Sequence, residues 1–238
     1  MNVCFFDIDG TLINTGGAGK SAMIAAVGEQ FNVTEIQGQI SVAGRSDRGI
    51  GRDLLIQHGL ADSTDNWEQF RTSYLNRLRD NLGRCQGRVL PGVRSLLDLL
   101  HGRNDIHLGL LTGNVQQAAL LKLAHYQLDG YFFQFGGYGD DQADRDDIAR
   151  AALASASAHL KNSEQSIDQR SINLWVIGDT PHDVQCARAI GANVVAVCTG
   201  VFSREQLATS QPDLLLDDLT SAGKFVDRLS NSAAADVP

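Results

Sequence analysis

Val3-Cys4-Phe5-Phe6-Asp7-Ile8-Asp9-Gly10-Thr11-Leu12 is an apolar run that ends in two acids and a turn. A short, continuous apolar stretch suits a strand buried on both faces, the habit of parallel sheets. Asp9-Gly10-Thr11 supplies turn chemistry. Turn chemistry alone accounts for an Asp-Gly pair. It does not account for a second acid, Asp7, directly after a buried run. In an extended chain, residues two apart share a face, so Asp7 and Asp9 are expected on the same side of the strand end.

Outward from this strand, residues 20–31, 47–58 and 65–82 carry apolar residues at helical spacing, the last through Trp67, Phe70, Tyr74, Leu75 and Leu78. Ser46 is placed to cap the second of these helices and Gly59 to stop it. Helices in succession with no strand between them break a β-α alternation and read as an insertion. Alternation starts again after Pro91: helix 93–100, strand 106–111, helix 115–126, strand 131–135, helix 146–159, strand 174–177, helix 182–190, strand 194–197 and a last strand at 214–216. Residues 162–169 are polar and expected to form a loop, and the small, polar tail from Ser230 is expected to fray. Such units predict an α/β fold, a doubly wound parallel sheet with an inserted small α-helical domain. The expected boundaries are 1–14 and 88–238 for the Rossmann-like core and 15–87 for the helical insertion.

In open α/β sheets ligands bind outside the carboxyl ends of the strands. The residues that follow the strands are Asp7 and Asp9, then Thr112-Gly113-Asn114, then Gly178-Asp179 through Asp183. Four carboxylates are thereby drawn to one rim. Their mutual repulsion calls for a cation, and ligands that are all oxygen select a hard one, Mg²⁺. A metal beside a carboxylate pair suits phosphoryl transfer, with one acid as nucleophile and the other as acid and base.

At these residues the chain resembles the haloacid dehalogenase superfamily. Asp7-Ile8-Asp9-Gly10-Thr11-Leu12 looks like its first motif, Leu110-Leu111-Thr112-Gly113-Asn114 like its second, and Gly178-Asp179 to Asp183 like its fourth. The likeness runs from Val3 to about Leu219. It implies that Asp7 attacks phosphorus, that Asp9 protonates the leaving oxygen and then activates water, and that Thr112 and Gly113 hold the phosphoryl group. Asp7, Asp9 (through its carbonyl), Asp179 and Asp183 are the implied Mg²⁺ set. Thr11, Gly113, Asn114 and Arg45 are the expected substrate-binding residues. The family's third motif is usually a Lys. Residues 139–148 contain none, and Arg145 is the cation that falls in this region, although Arg and Lys differ as phosphate partners. The insertion matches the family's small helical cap. Its Ala43-Gly44-Arg45-Ser46-Asp47 stretch resembles the substrate-facing loop of the phosphoglycolate phosphatase branch, with Lys20 as a second candidate in the cap.

The expected activity is therefore a Mg²⁺-dependent phosphatase acting on a small phosphate ester such as 2-phosphoglycolate. A phosphomutase of the same superfamily, or a non-catalytic binding protein on this fold, is the alternative. Asp9 argues against a dehalogenase. Gly16-Gly17-Ala18-Gly19-Lys20-Ser21 resembles a P-loop but lacks the first glycine, because position 14 is Asn. A formal charge of −8 disfavours nucleic acid and anionic lipid as partners. No apolar run approaches the ~20 residues of a membrane helix, and residues 1–8 do not read as a signal segment. The expected setting is cytoplasmic, as monomer or homodimer, with free thiols; Cys4 and Cys198 are expected in the core.

Overall fold

The computed structural model describes residues 1–38, 40–131, 133–162 and 172–234, residue 162 and the last four by backbone alone. The predicted loop at 162–169 lies almost entirely outside this set. Strand β1 (Asn2–Phe6) is central in a six-stranded sheet. Its neighbours are β4 (Ile106–Leu111) on one side and β6 (Asn173–Gly178) on the other. Beyond them lie β5 (Phe135–Gly137), and β7 (Asn193–Val197) with β8 (Leu214–Leu216), in the order β5-β4-β1-β6-β7-β8. Every neighbouring pair is parallel.

The alternation of β1 explains why it reads as unbroken apolar sequence. Val3 and Phe5 face one way, against Ile148, Ala152 and Ala156 of α6 (Arg145–Asn162) and Val184 and Ala187 of α7 (Pro181–Ala189). Cys4 and Phe6 face the other way. Their cluster contains Leu97 of α4 (Val93–His101), Ala118 and Leu123 of α5 (Gln116–His125) and Phe225 of α9 (Gly223–Ala234). Each strand position is thus covered, as a parallel sheet between two helical layers requires.

Helices α1 (Ala18–Phe31), α2 (Asp47–Gln57) and α3 (Thr64–Leu82) form the insertion. They lie between β2 (Ile13–Asn14) and β3 (Arg88–Val89), which pair antiparallel and bring entry and exit side by side. Trp67, Phe70 and Tyr74 of α3 stack in series, with ring centroids 5.8 and 6.2 Å apart. Ser46 caps α2 by accepting from the Gly49 N–H, as its position in the sequence predicts.

Some expectations shift. The strand expected at 131–135 begins only at Phe135; residues 129–131 form a single 3₁₀ turn, and Phe132 is outside the described residues. The chain from Ser230 continues as helix to Ala234, because α9 docks Phe225 and Leu229 into the core and carries the following turn with it. Helix α8 (Arg204–Thr209) and the β2-β3 pair were not anticipated. Cys4 is buried, but Cys198 is only half-buried. Among the described residues no helix is long and apolar enough to cross a membrane.

Candidate active site

The carboxyl ends of β1, β4 and β6 lie side by side, so Asp7, Thr112 and Asp179 each leave the sheet at the same rim. Carboxylate oxygens of Asp7, Asp179 and Asp183 all come within 4.8 Å of one another, and all three residues are buried. Asp179 is held by the Thr11 hydroxyl, which donates to its Oδ1 at 3.1 Å. Gly10 stands against it at φ +87°; a Cβ there would lie 2.3 Å from Asp179 Oδ2, so this turn needs glycine for conformation and for space.

Asp183 sits on the first turn of α7. Thr180 and Asp183 make a capping box with Pro181 between them, the arrangement expected of Thr-Pro at a helix start. Asp183 Oδ2 accepts from the Thr180 N–H (3.0 Å) and hydroxyl (2.8 Å), and Oδ1 accepts from Arg145. Arg145 is the first residue of α6 and is 7% exposed; its Nη1 lies 3.6 Å from Asp7 Oδ1. The arginine singled out from residues 139–148 therefore bridges Asp7 and Asp183.

The electrostatics follow from this packing. Burial pushes the Asp7 carboxyl up to about 7, reinforced by Asp183 and Asp9 and opposed by Arg145. Burial, then Asp183 and Asp7, holds the Asp179 carboxyl well above the usual carboxylate range. For Arg145 burial acts against the charged form, but Asp183 and Asp7 outweigh it and strengthen its hold on the proton. Three carboxylates against one guanidinium leave two formal negative charges. An all-oxygen, doubly negative pocket fits a divalent hard cation, and Mg²⁺ matches that donor set.

Asp9 is set apart from this cluster. Its side chain is 41% exposed and turns to α5, where Lys122 Nζ (2.6 Å) and Asn114 Nδ2 (2.8 Å) both donate to Oδ2. Asn114 Nδ2 also donates to the Thr112 hydroxyl at 2.8 Å. Asp7, Asp9, Thr112, Gly113, Asn114, Arg145 and Asp179 line one cavity of about 310 Å³. Lys20, Met23, Val42, Arg45, Asp47, Ile50 and Tyr74 of the insertion line it as well.

The insertion is docked on the rim. The Asp47 N–H donates to the Gly113 carbonyl (2.7 Å) and the Arg48 N–H to the Gly139 carbonyl (3.3 Å), while the Ser46 hydroxyl donates to the Ala143 carbonyl (2.9 Å). The Asp47 carboxylate accepts from the Val115 N–H (2.9 Å) at the start of α5, and Asp140 accepts from the next amide, Gln116 (2.7 Å). Two of the free N–H groups at that helix end thereby meet carboxylates, the favoured polarity.

Two of the expected substrate-binding side chains are engaged elsewhere. Thr11, placed among the substrate-binding residues, does not line the cavity: it is 1% exposed and its hydroxyl is spent on Asp179. Arg45 does line the cavity, but its guanidinium is held by Asp53 (2.5 Å) and by the Ser41 and Gly49 carbonyls (3.3 Å each), so it is already paired within the insertion. Lys122, Asp47 and Tyr74 were not anticipated as site residues. For Lys122 a signal existed: Val115, Ala118, Ala119, Lys122 and Leu123 are buried together, so the lysine interrupts an apolar helix face.

The sequence profile of the haloacid dehalogenase-like hydrolases matches residues 4–197. A phosphoglycolate phosphatase from Synechococcus elongatus is 25% identical over 226 residues, covering 91% of this chain and 93% of its own. In structure, a hydrolase from Pseudomonas syringae aligns at a TM-score of 0.69 with 21% identity, covering 96% of this chain and 99% of that one. CbbY from Rhodobacter sphaeroides, solved in complex with phosphate, aligns at 0.65 with 17% identity over 93% of this chain and 96% of that one. With the family's profile spanning the sheet from β1 to β7 and the acidic rim at its carboxyl edge, the chain belongs to the haloacid dehalogenase-like hydrolases.

Proposed function

We propose that this hydrolase is a Mg²⁺-dependent phosphatase that cleaves a small phosphate monoester, such as 2-phosphoglycolate or a similar phosphorylated organic acid, through an aspartyl-phosphate on Asp7. The observation that carries the reading is the pairing of Asp7 with Arg145 at 3.6 Å, in a cavity of about 310 Å³ that also contains Asp9, Thr112 and Asp179. A cavity of that size suits a small molecule rather than a polymer. The names of the relatives point the same way.

Asp7 attacks phosphorus as the ester P–O bond breaks, and Asp9 gives its proton to the leaving oxygen. Water then loses a proton to Asp9 and displaces Asp7 from phosphorus, which releases phosphate. Arg145 offsets charge at Asp7 throughout and keeps Asp183 in place. Thr112 and the Gly113 backbone flank the phosphoryl group. Mg²⁺, held by Asp7 and Asp179 with Asp183 behind them, would neutralise charge on the phosphoryl oxygens. Asp183 serves as the orienting member, because both its oxygens are taken by Thr180 and Arg145. Residues 15–87 act as the cap that excludes water, docked through residues 46–48.

The test is phosphate release from a panel of small esters, with Mg²⁺ and with EDTA, for the wild type and Asp7→Asn. Release that needs the metal and vanishes in the variant is the expected result. Release that survives Asp7→Asn would remove the nucleophile and the reading with it.

A further inference from the structure

A lysine with its amine buried beside a catalytic carboxylate needs a reason, because burial of an ammonium is costly unless it is paired. Lys122 is 3% exposed. Its Nζ meets Asp9 Oδ2 at 2.6 Å and Asn114 Oδ1 at 2.5 Å. The insertion surrounds it: a Cβ on Gly19 of α1 would stand 3.7 Å from Nζ, and Asp47, 6% exposed at the start of α2, is an opposing charge.

Asp9 is the acid in this site that most needs holding. Its side chain is 41% exposed, against 10% for Asp7 and 1% for Asp183. An exposed carboxylate samples several rotamers, whereas proton transfer demands a fixed donor within hydrogen-bond reach. The two donors on Asp9, Lys122 and Asn114, both address Oδ2. A carboxylate oxygen offers two lone pairs. With both engaged, a proton carried by Asp9 sits on Oδ1.

Resting on the phosphatase reading above, we propose that Lys122 is a positioning residue: with Asn114 it pins Asp9 by Oδ2 and assigns Oδ1 as the atom that passes the proton. In the first step the Oδ1–H proton goes to the leaving oxygen as the ester P–O bond breaks. In the second, Oδ1 takes a proton from the water that attacks phosphorus. Asp47 supplies the opposing charge that keeps the buried ammonium tolerable, so the seat is complete when the cap is docked.

The experiment compares kcat/KM, which covers transfer to Asp7 and not the later hydrolysis, for two esters of similar size. p-Nitrophenyl phosphate has a leaving group that departs without a proton; phenyl phosphate needs one. In Lys122→Met, kcat/KM falls by about 10²-fold on phenyl phosphate, the lower end of general-acid catalysis, and by less than about 10-fold on p-nitrophenyl phosphate. Lys122→Arg, which keeps a cationic donor, recovers part of the loss. Circular dichroism checks the fold, and Lys122→Met with Asp47→Asn removes both charges should the single variant unfold. An equal fall on both esters in a folded variant, or no fall, overturns the role of Lys122 and leaves the phosphatase intact. A wild type inert towards both esters with Mg²⁺, or an active Asp7→Asn, overturns the phosphatase reading and this proposal together.

Discussion

Metal-free protein should lose stability as pH rises through the weakly acid range, and Asp7 should be a main cause. Burial raises its carboxyl from 3.8 to about 7 in the folded chain. The sign follows from proton binding. Below pH 3.8 both folded and unfolded forms hold the proton, and Asp7 contributes nothing to the pH dependence. Between 3.8 and about 7 the folded form keeps a proton that the unfolded form has released, so stability falls with rising pH. Above 7 the loss is complete. A rise of about three units corresponds to about 4 kcal/mol, or roughly 8–16 °C in melting temperature for a chain of this size. The assay is thermal melting in EDTA from pH 4 to 8 for the wild type and Asp7→Asn. The variant cannot ionise at this position, so its melting temperature should draw ahead of the wild type across the window. Mg²⁺ at about 100 times its Kd should return roughly 2.7 kcal/mol to the wild type and less to the variant. A gap that stays constant from pH 4 to 8 would refute the claim that burial holds the proton on Asp7 in the metal-free protein.

Two further outcomes follow from single contacts. Arg145→Met removes the buried cation between Asp7 and Asp183, so urea denaturation in EDTA should report a loss of about 3–5 kcal/mol, the cost of breaking a buried pair from one side; a loss below about 1 kcal/mol would contradict the pairing. Gly113→Ala places a Cβ 2.1 Å from the Arg45 carbonyl and should push the 45–48 segment off the rim, so the Asp47 amide, now bonded to the Gly113 carbonyl, should exchange with solvent faster while amides of β1 keep their protection.

The primary sequence determined where the site residues emerge. Asp7, Thr112 and Asp179 each follow an apolar run that must be a buried strand, and parallel strands present their carboxyl ends at one rim whatever the details of packing. The Thr180-Pro181 start of α7 obeys local rules too, because capping depends on residues three apart. Arg145 was expected only through the family resemblance, as the cation in the region of the third motif, and the structure sets it against Asp7 and Asp183. Other features belong to tertiary structure alone. Strands β2 and β3 are two residues each, too short to carry a period. Strand β5 reads Phe-Gly-Gly, where two residues lack the side chains a pattern needs. Lys122 reaches Asp9 only because α5 turns its apolar face inward at that phase, and Asp47 reaches α5 only because the insertion closes on the core. Arg45, just ahead of the Ser46 cap, reaches along α2 to Asp53. Local sequence fixes periodicity and turn chemistry over a few residues; the partner of a long charged side chain is decided by which element packs beside it, across 113 residues in the case of Lys122 and Asp9.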